Sequence, residues 1–108
     1  MPILRFQQKT TAVCIVNDST AAAFIGKMQL RGYSIPREVS VVGHDDSPLA
    51  PYAPVPLTTI SHPVDDLVHE ILQLLKDRLS KSAPSAPQQR IVRGKLAIRQ
   101  SSAPPFGG

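Results

Sequence analysis

Two short runs rich in β-branched residues constrain the fold of this chain more than any other feature of its sequence. Residues 12–16 read AVCIV and residues 39–42 read VSVV, and the second run ends at Gly43. A short, continuously apolar run bounded by polar residues is typical of a strand buried on both faces in a parallel sheet. We therefore predict such a strand at residues 12–16 and a second strand at residues 39–42.

The segment between these runs has the features of a helix. Residues 17–20 read NDST and offer four possible N-cap side chains. Gly32 is suited to the position at which a helix ends. The order strand, helix, strand predicts one βαβ unit with a right-handed crossover. Four apolar residues of the helix repeat at helical spacing: Ala21, Phe24, Ile25 and Met28.

Prolines and an apolar stripe shape the following segment. Residues 47–56 contain four prolines, which exclude a helix and predict an ordered loop or an extended connection. Residues 57–60 are a third strand candidate, and Pro63 fits the first turn of a helix that continues to about residue 80. The apolar stripe of this helix comprises Val64, Leu67, Val68, Ile71, Leu72, Leu74, Leu75 and Leu79.

The C-terminal part is predicted to contain a linker, two short strands and a tail. Residues 81–89 are rich in serine and proline, which indicates a flexible connection. Residues 90–92 and 95–99 flank Gly94, and both have the composition of short strands. Residues 102–108 are rich in proline, glycine and serine and are expected to form a flexible tail.

The composition is that of a single globular domain. Apolar residues make up 42% of the 108 residues and charged residues 19%, which argues against a disordered chain. No stretch approaches the ~20 apolar residues that span a bilayer, and the start of the chain lacks the pattern of a secretory signal. Cys14 is the only cysteine, so no internal disulfide can form, and this fits a reducing cytoplasm.

The positive charge is dispersed along the chain. The net charge is +4, but the 12 lysines and arginines are scattered and form no basic run. No zinc-finger or aromatic RNA-binding signature accompanies them. The pattern favours an ordinary solvated surface over a nucleic-acid interface, although a basic patch in the folded chain stays open as an alternative.

Two polar clusters follow the predicted strands of the βαβ unit. Asn17 and Asp18 come after the first strand, and residues 44–46, HDD, come after the second. Ligands of α/β sheets bind at the carboxyl ends of parallel strands, so we predict that Asn17 and Asp45 contact a ligand. Amide and carboxylate groups suit a ligand that carries several hydroxyls or amines. For Asp18, a cap on the helix is the preferred interpretation.

Catalysis and metal binding are less consistent with these residues. His44 and Asp45 could bind a divalent ion, as in metal-dependent phosphohydrolases, but those enzymes place such a pair on helices with further ligands. The triplet could also simply be a turn. Cys14 lies inside an apolar run, and His62 and His69 are about two helical turns apart, too far for one metal. We expect no catalytic residue, no metal site and no cofactor.

Four segments together resemble the lactose-repressor/galactose-repressor family. Residues 11–18, TAVCIVND, are similar to the family's TAVFCAND step, and residues 35–46, IPREVSVVGHDD, are similar to its segment ending in VSVVGFDD. Residues 56–60, PLTTI, match its domain crossover, and residues 96–105, LAIRQSSAPP, resemble its closing LxxRxSTAPP. His44 stands where the family has an aromatic residue, a departure that bears on ligand choice.

The resemblance implies an α/β fold with a small, mainly parallel sheet and flanking helices, as part of a periplasmic-binding-protein-like (type I) lobe. In this family two lobes close on a small-molecule effector, a sugar, a related polyol or a nucleobase. The positions of Asn17 and Asp45 are ones that commonly contact it.

The resemblance also implies how the chain is divided between lobes. Residues 11–57 correspond to part of the second lobe, and residues 58–80 to a crossover strand and helix of the first lobe. After the linker, residues 90–101 are expected to supply closing strands of the second lobe. Residues 1–10 are expected to be a leading tail.

The implied function is effector sensing in a cytoplasmic DNA-binding regulator, as a C-terminal part without the helix-turn-helix. Operator DNA would be bound only through a domain outside this chain, and no membrane contact is expected. The alternatives are part of a periplasmic-type sugar-binding protein, a small hydrolase or metal enzyme using His44 and Asp45, and an inactive remnant.

The second helix predicts association between copies of the chain. Its eight large apolar residues are too many to leave in water, because each buried leucine or isoleucine contributes about 1.5–3 kcal/mol. The helix could fold back onto its own sheet or pack against a copy from another chain; the second is preferred, so we expect a homo-oligomer with Leu67, Ile71, Leu74 and Leu75 at its interface.

Overall fold

The chain is described by a computed structural model that covers residues 10–105. These residues divide into two units, and each is treated by itself. Unit 1 comprises residues 10–61 and 96–105, and unit 2 comprises residues 62–95. The predicted leading tail, apart from residue 10, and residues 106–108 of the predicted C-terminal tail lie outside the described residues.

The predicted βαβ unit forms the frame of unit 1. It consists of β1 (Ala12–Cys14), α1 (Asp18–Leu30) and β2 (Ser40–Val42). Helix α1 begins where the sequence offers caps, because the Asn17 Oδ1 atom accepts a hydrogen bond of 2.8 Å from the Thr20 amide. Just past its end, Gly32 has a φ of 87°, a conformation that glycine adopts without steric cost.

The strands form a small and mainly parallel sheet system, as predicted. β1 and β2 are parallel neighbours, with Val13 opposite Val41. Parallel bridges join Val42 to Thr58 and Asp45 to Ser61, so the chain around β3 (Thr59–Ser61) follows the direction of β2. β3 pairs with β4 (Lys95–Ala97) in a second two-stranded sheet.

The core of unit 1 lies between α1 and β2. Ala21, Ile25 and Met28 are buried, as their helical spacing predicts, while Phe24 packs against the core from its edge. The proline-rich loop is ordered, with a 3-10 turn at Ala50–Tyr52. Further buried apolar residues come from the connection to β2, from β2 itself and from this loop: Ile35, Val39, Val41, Ala50 and Leu57.

The prediction that residues 12–16 form a strand buried on both faces is wrong. β1 spans three residues, of which Ala12 and Cys14 are exposed, and Val16 beyond it is 77% exposed. Within the described residues β1 pairs only with β2, so it lies at the edge of its sheet and lacks a second neighbour. Cys14 is accordingly an exposed thiol and not a packed one.

The C-terminal segment is tied to the strands of unit 1. The Ser101 Oγ atom donates to the Val41 carbonyl at 2.5 Å and accepts from the Thr58 amide at 2.8 Å. The Ala103 amide donates to Ser40 Oγ at 3.0 Å, and the hydroxyls of Ser102 and Thr58 are 2.7 Å apart. The start of the segment predicted to be a flexible tail is therefore held by hydrogen bonds.

Unit 2 consists mainly of α2 (Val64–Leu79), close to the predicted helix. None of its residues is buried, and Ile71, Leu75 and Leu79 are 59%, 51% and 75% exposed. Residues 90–92 do not form the predicted strand, because they make no ladder with the described residues; instead Arg90 binds Glu70 at 2.8 Å. No helix within residues 10–105 has the length and apolar character that a membrane crossing requires.

Substitution by alanine at two glycines of unit 1 is expected to change the stability in opposite directions. A Cβ atom at Gly43 would collide with Asp18 Oδ1 and lie 2.8 Å from Leu57 Cδ2, both in the packed interior. We expect Gly43→Ala to lower the free energy of unfolding by about 1–3 kcal/mol. At Gly26 the nearest atom is Pro54 Cγ at 3.8 Å, an ordinary contact in a helix interior. Gly26→Ala should raise stability by about 0.5–1 kcal/mol. Urea unfolding of both variants measures the difference, and equal midpoints would contradict the packing described for Gly43.

Candidate ligand-binding site

The loops that follow β1 and β2 meet at one end of the sheet. The Asp18 amide donates to the His44 carbonyl at 3.1 Å, directly beyond the last bond between the strands, from the Ile15 amide to the Val42 carbonyl. Asn17 and Asp45 are each one residue from that joining bond. The structure therefore brings both predicted ligand residues to the carboxyl ends of neighbouring parallel strands.

Asn17 has a structural role in addition to any contact with a ligand. Its Oδ1 atom is the N-cap of α1 and accepts from Thr20. One lone pair of the side-chain carbonyl is thus engaged in the cap, and the side-chain NH₂ group can act as a donor.

The prediction that Asp18 caps the helix is wrong, because Asn17 is the N-cap of α1 and the Asp18 carboxylate binds other segments. The side chain of Asp18 is buried, with 1% of the residue exposed. Its Oδ2 atom accepts from the Ser47 amide at 2.7 Å, and its Oδ1 atom accepts from Thr59 Oγ1 at 2.6 Å. Asp18 therefore joins α1 to the loop after β2 and to β3, a role that the sequence alone did not indicate.

The loop after β2 is held in an unusual backbone conformation. Asp45 has a φ of 120° and Asp46 a φ of 50°, in a region that L-residues rarely adopt. Such residues cost on the order of 1–3 kcal/mol each and persist only where the surroundings fix them; they cluster at functional sites.

Three consecutive backbone amides of this loop have acceptors. The Asp45 amide donates to the Ile60 carbonyl at 3.0 Å, and the Asp46 amide donates to Thr59 Oγ1 at 3.2 Å. The Ser47 amide donates to Asp18, as described above. Three consecutive amides are thus fixed by β3 and α1, which contributes to the stability of the strained turn.

The carboxylate of Asp45 remains accessible on this fixed loop. Its side chain is 45% exposed, and its Oδ1 atom lies 3.3 Å from Nδ1 of His44, which is 43% exposed. An accessible carboxylate on a rigid backbone is a suitable acceptor for ligand hydroxyls, since little conformational freedom is lost on binding.

Ser47 ends the loop with a buried hydroxyl. Its Oγ atom is buried and has no hydrogen-bond partner among the described residues 10–105. The hydroxyl of Ser47 therefore contributes nothing to the hydrogen bonds that hold the loop.

A separate groove of about 380 Å³ runs along α1. Its lining includes the side chains of Phe24, Lys27, Met28, Arg31 and Tyr33. Neither Asn17 nor Asp45 lines it, so the groove and the predicted ligand residues are different places on unit 1.

Comparison with known proteins shows which family this chain resembles in sequence. The model of the periplasmic binding protein-like domain family matches residues 2–102. The transcriptional regulator DegA of Bacillus subtilis is 31% identical over 94 residues, which cover 87% of this chain and 28% of DegA. The chain spans about a quarter of the length of the curated relatives that it matches.

Solved structures of regulators share the fold. The complex of the transcriptional regulator CelR with cellobiose superposes with a TM-score of 0.75 at 29% identity, covering 87% of this chain and 28% of that one. A LacI family regulator from Lactobacillus casei with bound glucose has a TM-score of 0.66 at 30% identity, with coverages of 85% and 32%.

The buried hydrogen bonds of Thr59 predict a large effect for an isosteric substitution. Thr59→Val removes the donor to Asp18 and the acceptor for the Asp46 amide, at a residue that is 0% exposed. We expect a loss of about 1–3 kcal/mol in the free energy of unfolding, because buried polar groups lose their partners. The matched control is Ser47→Ala, which removes a buried hydroxyl without a partner and should be neutral or slightly stabilising. If both variants unfold at the same urea concentration, Asp18 is not the junction that the geometry describes.

Proposed function

Because this chain belongs to the periplasmic binding protein-like family, among its LacI-type transcriptional regulators, we propose that it senses a small-molecule effector as part of such a regulator. The observation that supports the proposal is the backbone hydrogen bond from the Asp18 amide to the His44 carbonyl, because these residues are the chain neighbours of Asn17 and Asp45 at the carboxyl ends of β1 and β2.

The chemistry of these side chains favours a sugar as the effector. Asp45 offers carboxylate oxygens to hydroxyl donors, and Asn17 offers an amide donor. Related regulators have been solved with cellobiose and with glucose. A nucleobase stays an alternative ligand, since its amino groups can also donate to Asp45.

The effector acts through a difference in affinity between two arrangements of the regulator. A ligand that binds one arrangement better shifts the population toward it, and the shift alters binding to operator DNA by the same coupling energy. This chain supplies one side of the effector site. Operator binding belongs to a separate domain of the regulator in the cytoplasm, and no catalytic step is part of the function.

A sugar carrier with the same fold is the second candidate. The name of the matching family favours it, because that family is described as periplasmic binding protein-like. The relatives and solved structures named above are transcriptional regulators, which supports the first candidate.

We also propose that α2 pairs with α2 of a second copy of the chain. The helix carries Asp65 and Asp66 in its first turn and Lys76 and Arg78 in its last turn. An antiparallel pair sets the acidic end of each helix against the basic end of the other, while the apolar stripes cover each other. The stripe includes the predicted interface residues Leu67, Ile71, Leu74 and Leu75.

Sugar binding tests the effector proposal. Cellobiose and glucose are titrated into the chain, and nitrogen–proton NMR spectra are recorded at each step. The backbone amide signals of Asn17 and Asp45 should shift as the sugar binds. Asp45→Asn should weaken binding about tenfold or more, because a charge-assisted hydrogen bond is lost. Glu38→Gln removes an exposed acid before the start of β2, outside both proposed sites, and should leave the affinity unchanged. Shifts confined to other residues, or equal affinity for Asp45→Asn, would reject Asp45 as a ligand contact.

Light scattering tests the pairing of α2. At high micromolar concentration the chain should be a dimer or larger, and the double variant Ile71→Asp with Leu75→Asp should be monomeric, since two charges in the interface lose their hydration. Leu30→Asp is the control, because Leu30 is 88% exposed on α1 and lies outside the proposed interface. A monomeric wild-type chain, or equal dissociation by the control, would contradict the proposal.

A further inference from the structure

We propose that Arg99 is a positioning residue of the effector site, which acts through Asp46 to present Asp45 to the ligand. The effector part of this inference rests on the function proposed above. The positional part stands on the geometry of unit 1 alone.

Arg99 joins two segments that are distant in the sequence. Its Nη2 atom donates to Asp46 Oδ1 at 2.8 Å, and its Nη1 atom donates to the Leu57 carbonyl at 2.8 Å. The two nitrogens form the fork of the guanidinium group. One of them binds the loop after β2, and the other binds the chain that leads into β3. The planar guanidinium can bind both acceptors at once, whereas the ammonium group of a lysine lacks this geometry.

The ion pair of Arg99 is shielded from solvent. The side chains of Arg99 and Asp46 are 22% and 26% exposed, so water competes with the pair less than at an open surface. The Arg99 amide also donates to Thr58 Oγ1 at 2.9 Å, which fixes the backbone that carries the fork.

Asp46 transmits this restraint to Asp45. The two residues are consecutive, and both have the positive φ angles described above. The amides of the loop are already held, so the side chain of Asp46 is the additional point at which the strained turn can be locked. Arg99, which lies in the segment after β4 (the closing segment), supplies this restraint through its hydrogen bond to Asp46. Without it, the turn can relax toward ordinary φ values, and the carboxylate of Asp45 then changes direction.

Amide hydrogen exchange on the full chain, measured by NMR, tests the positional role. Arg99→Met removes the charge and the fork, and Arg99→Lys keeps the charge but removes the fork. In both variants the amides of Asp46 and Ser47 should exchange about tenfold faster or more, while the amides of Ile25 and Met28 in α1 keep their rates. Arg31→Met and Arg31→Lys are matched controls at an exposed arginine, and they should leave all four rates unchanged.

Cellobiose is the probe for the effector part. If the wild-type chain binds it, Arg99→Lys should raise the dissociation constant about tenfold, although Arg99 does not touch the ligand. Full affinity and slow loop exchange in Arg99→Lys would overturn the proposal, as would equal acceleration in α1, which indicates general destabilisation. A wild-type chain that binds neither cellobiose nor glucose defeats the proposed function, whereas the exchange rates still decide whether Arg99 positions the loop.

Discussion

The buried carboxylate of Asp18 is the interaction on which the arrangement of unit 1 depends. It stands at the first turn of α1, accepts from the amide of Ser47 and the hydroxyl of Thr59, and leaves no room for a side chain at Gly43. A buried carboxylate without partners is costly, so its hydrogen bonds force the loop after β2 and the start of β3 into fixed places. The start of α1, the loop after β2 and β3 therefore lie together, because all three supply or bind the carboxylate of Asp18.

The regular part of the fold could be predicted from local patterns in the sequence. Helical spacing identified α1 and α2, and the four possible caps at residues 17–20 and the glycine at residue 32 marked the limits of α1. Strand burial could not be predicted in the same way for residues 12–16, because burial depends on which neighbours a strand has. The resemblance to lactose-repressor-type proteins added what local patterns lack, namely the order in which the segments are used.

The candidate site was only partly accessible to sequence reasoning. Asn17 and Asp45 follow apolar strands, and that position, together with the family resemblance, pointed to them. The partners that fix the site, Asp18, Thr59 and Arg99, are far apart along the chain, and their pairing appears only when β3 and the closing segment are in place. Thr58, Thr59 and Arg99 carry no local signal of such contacts. The sequence shows them only as parts of the PLTTI and LAIRQSSAPP segments and assigns them no role.

The hydrogen bonds of the loop after β2 also separate what can vary from what cannot. Asp46, Thr59 and Ser101 each satisfy buried or half-buried partners, and replacing any of them leaves a polar group without its bond. The side chain of His44, by contrast, is half exposed on a backbone that its neighbours hold in place. Position 44 can therefore accept another side chain with the loss of an exposed contact to Asp45, whereas the residues beneath it cannot change without breaking buried hydrogen bonds, and His44, which departs from the VSVVGFDD pattern, stands at this more variable position.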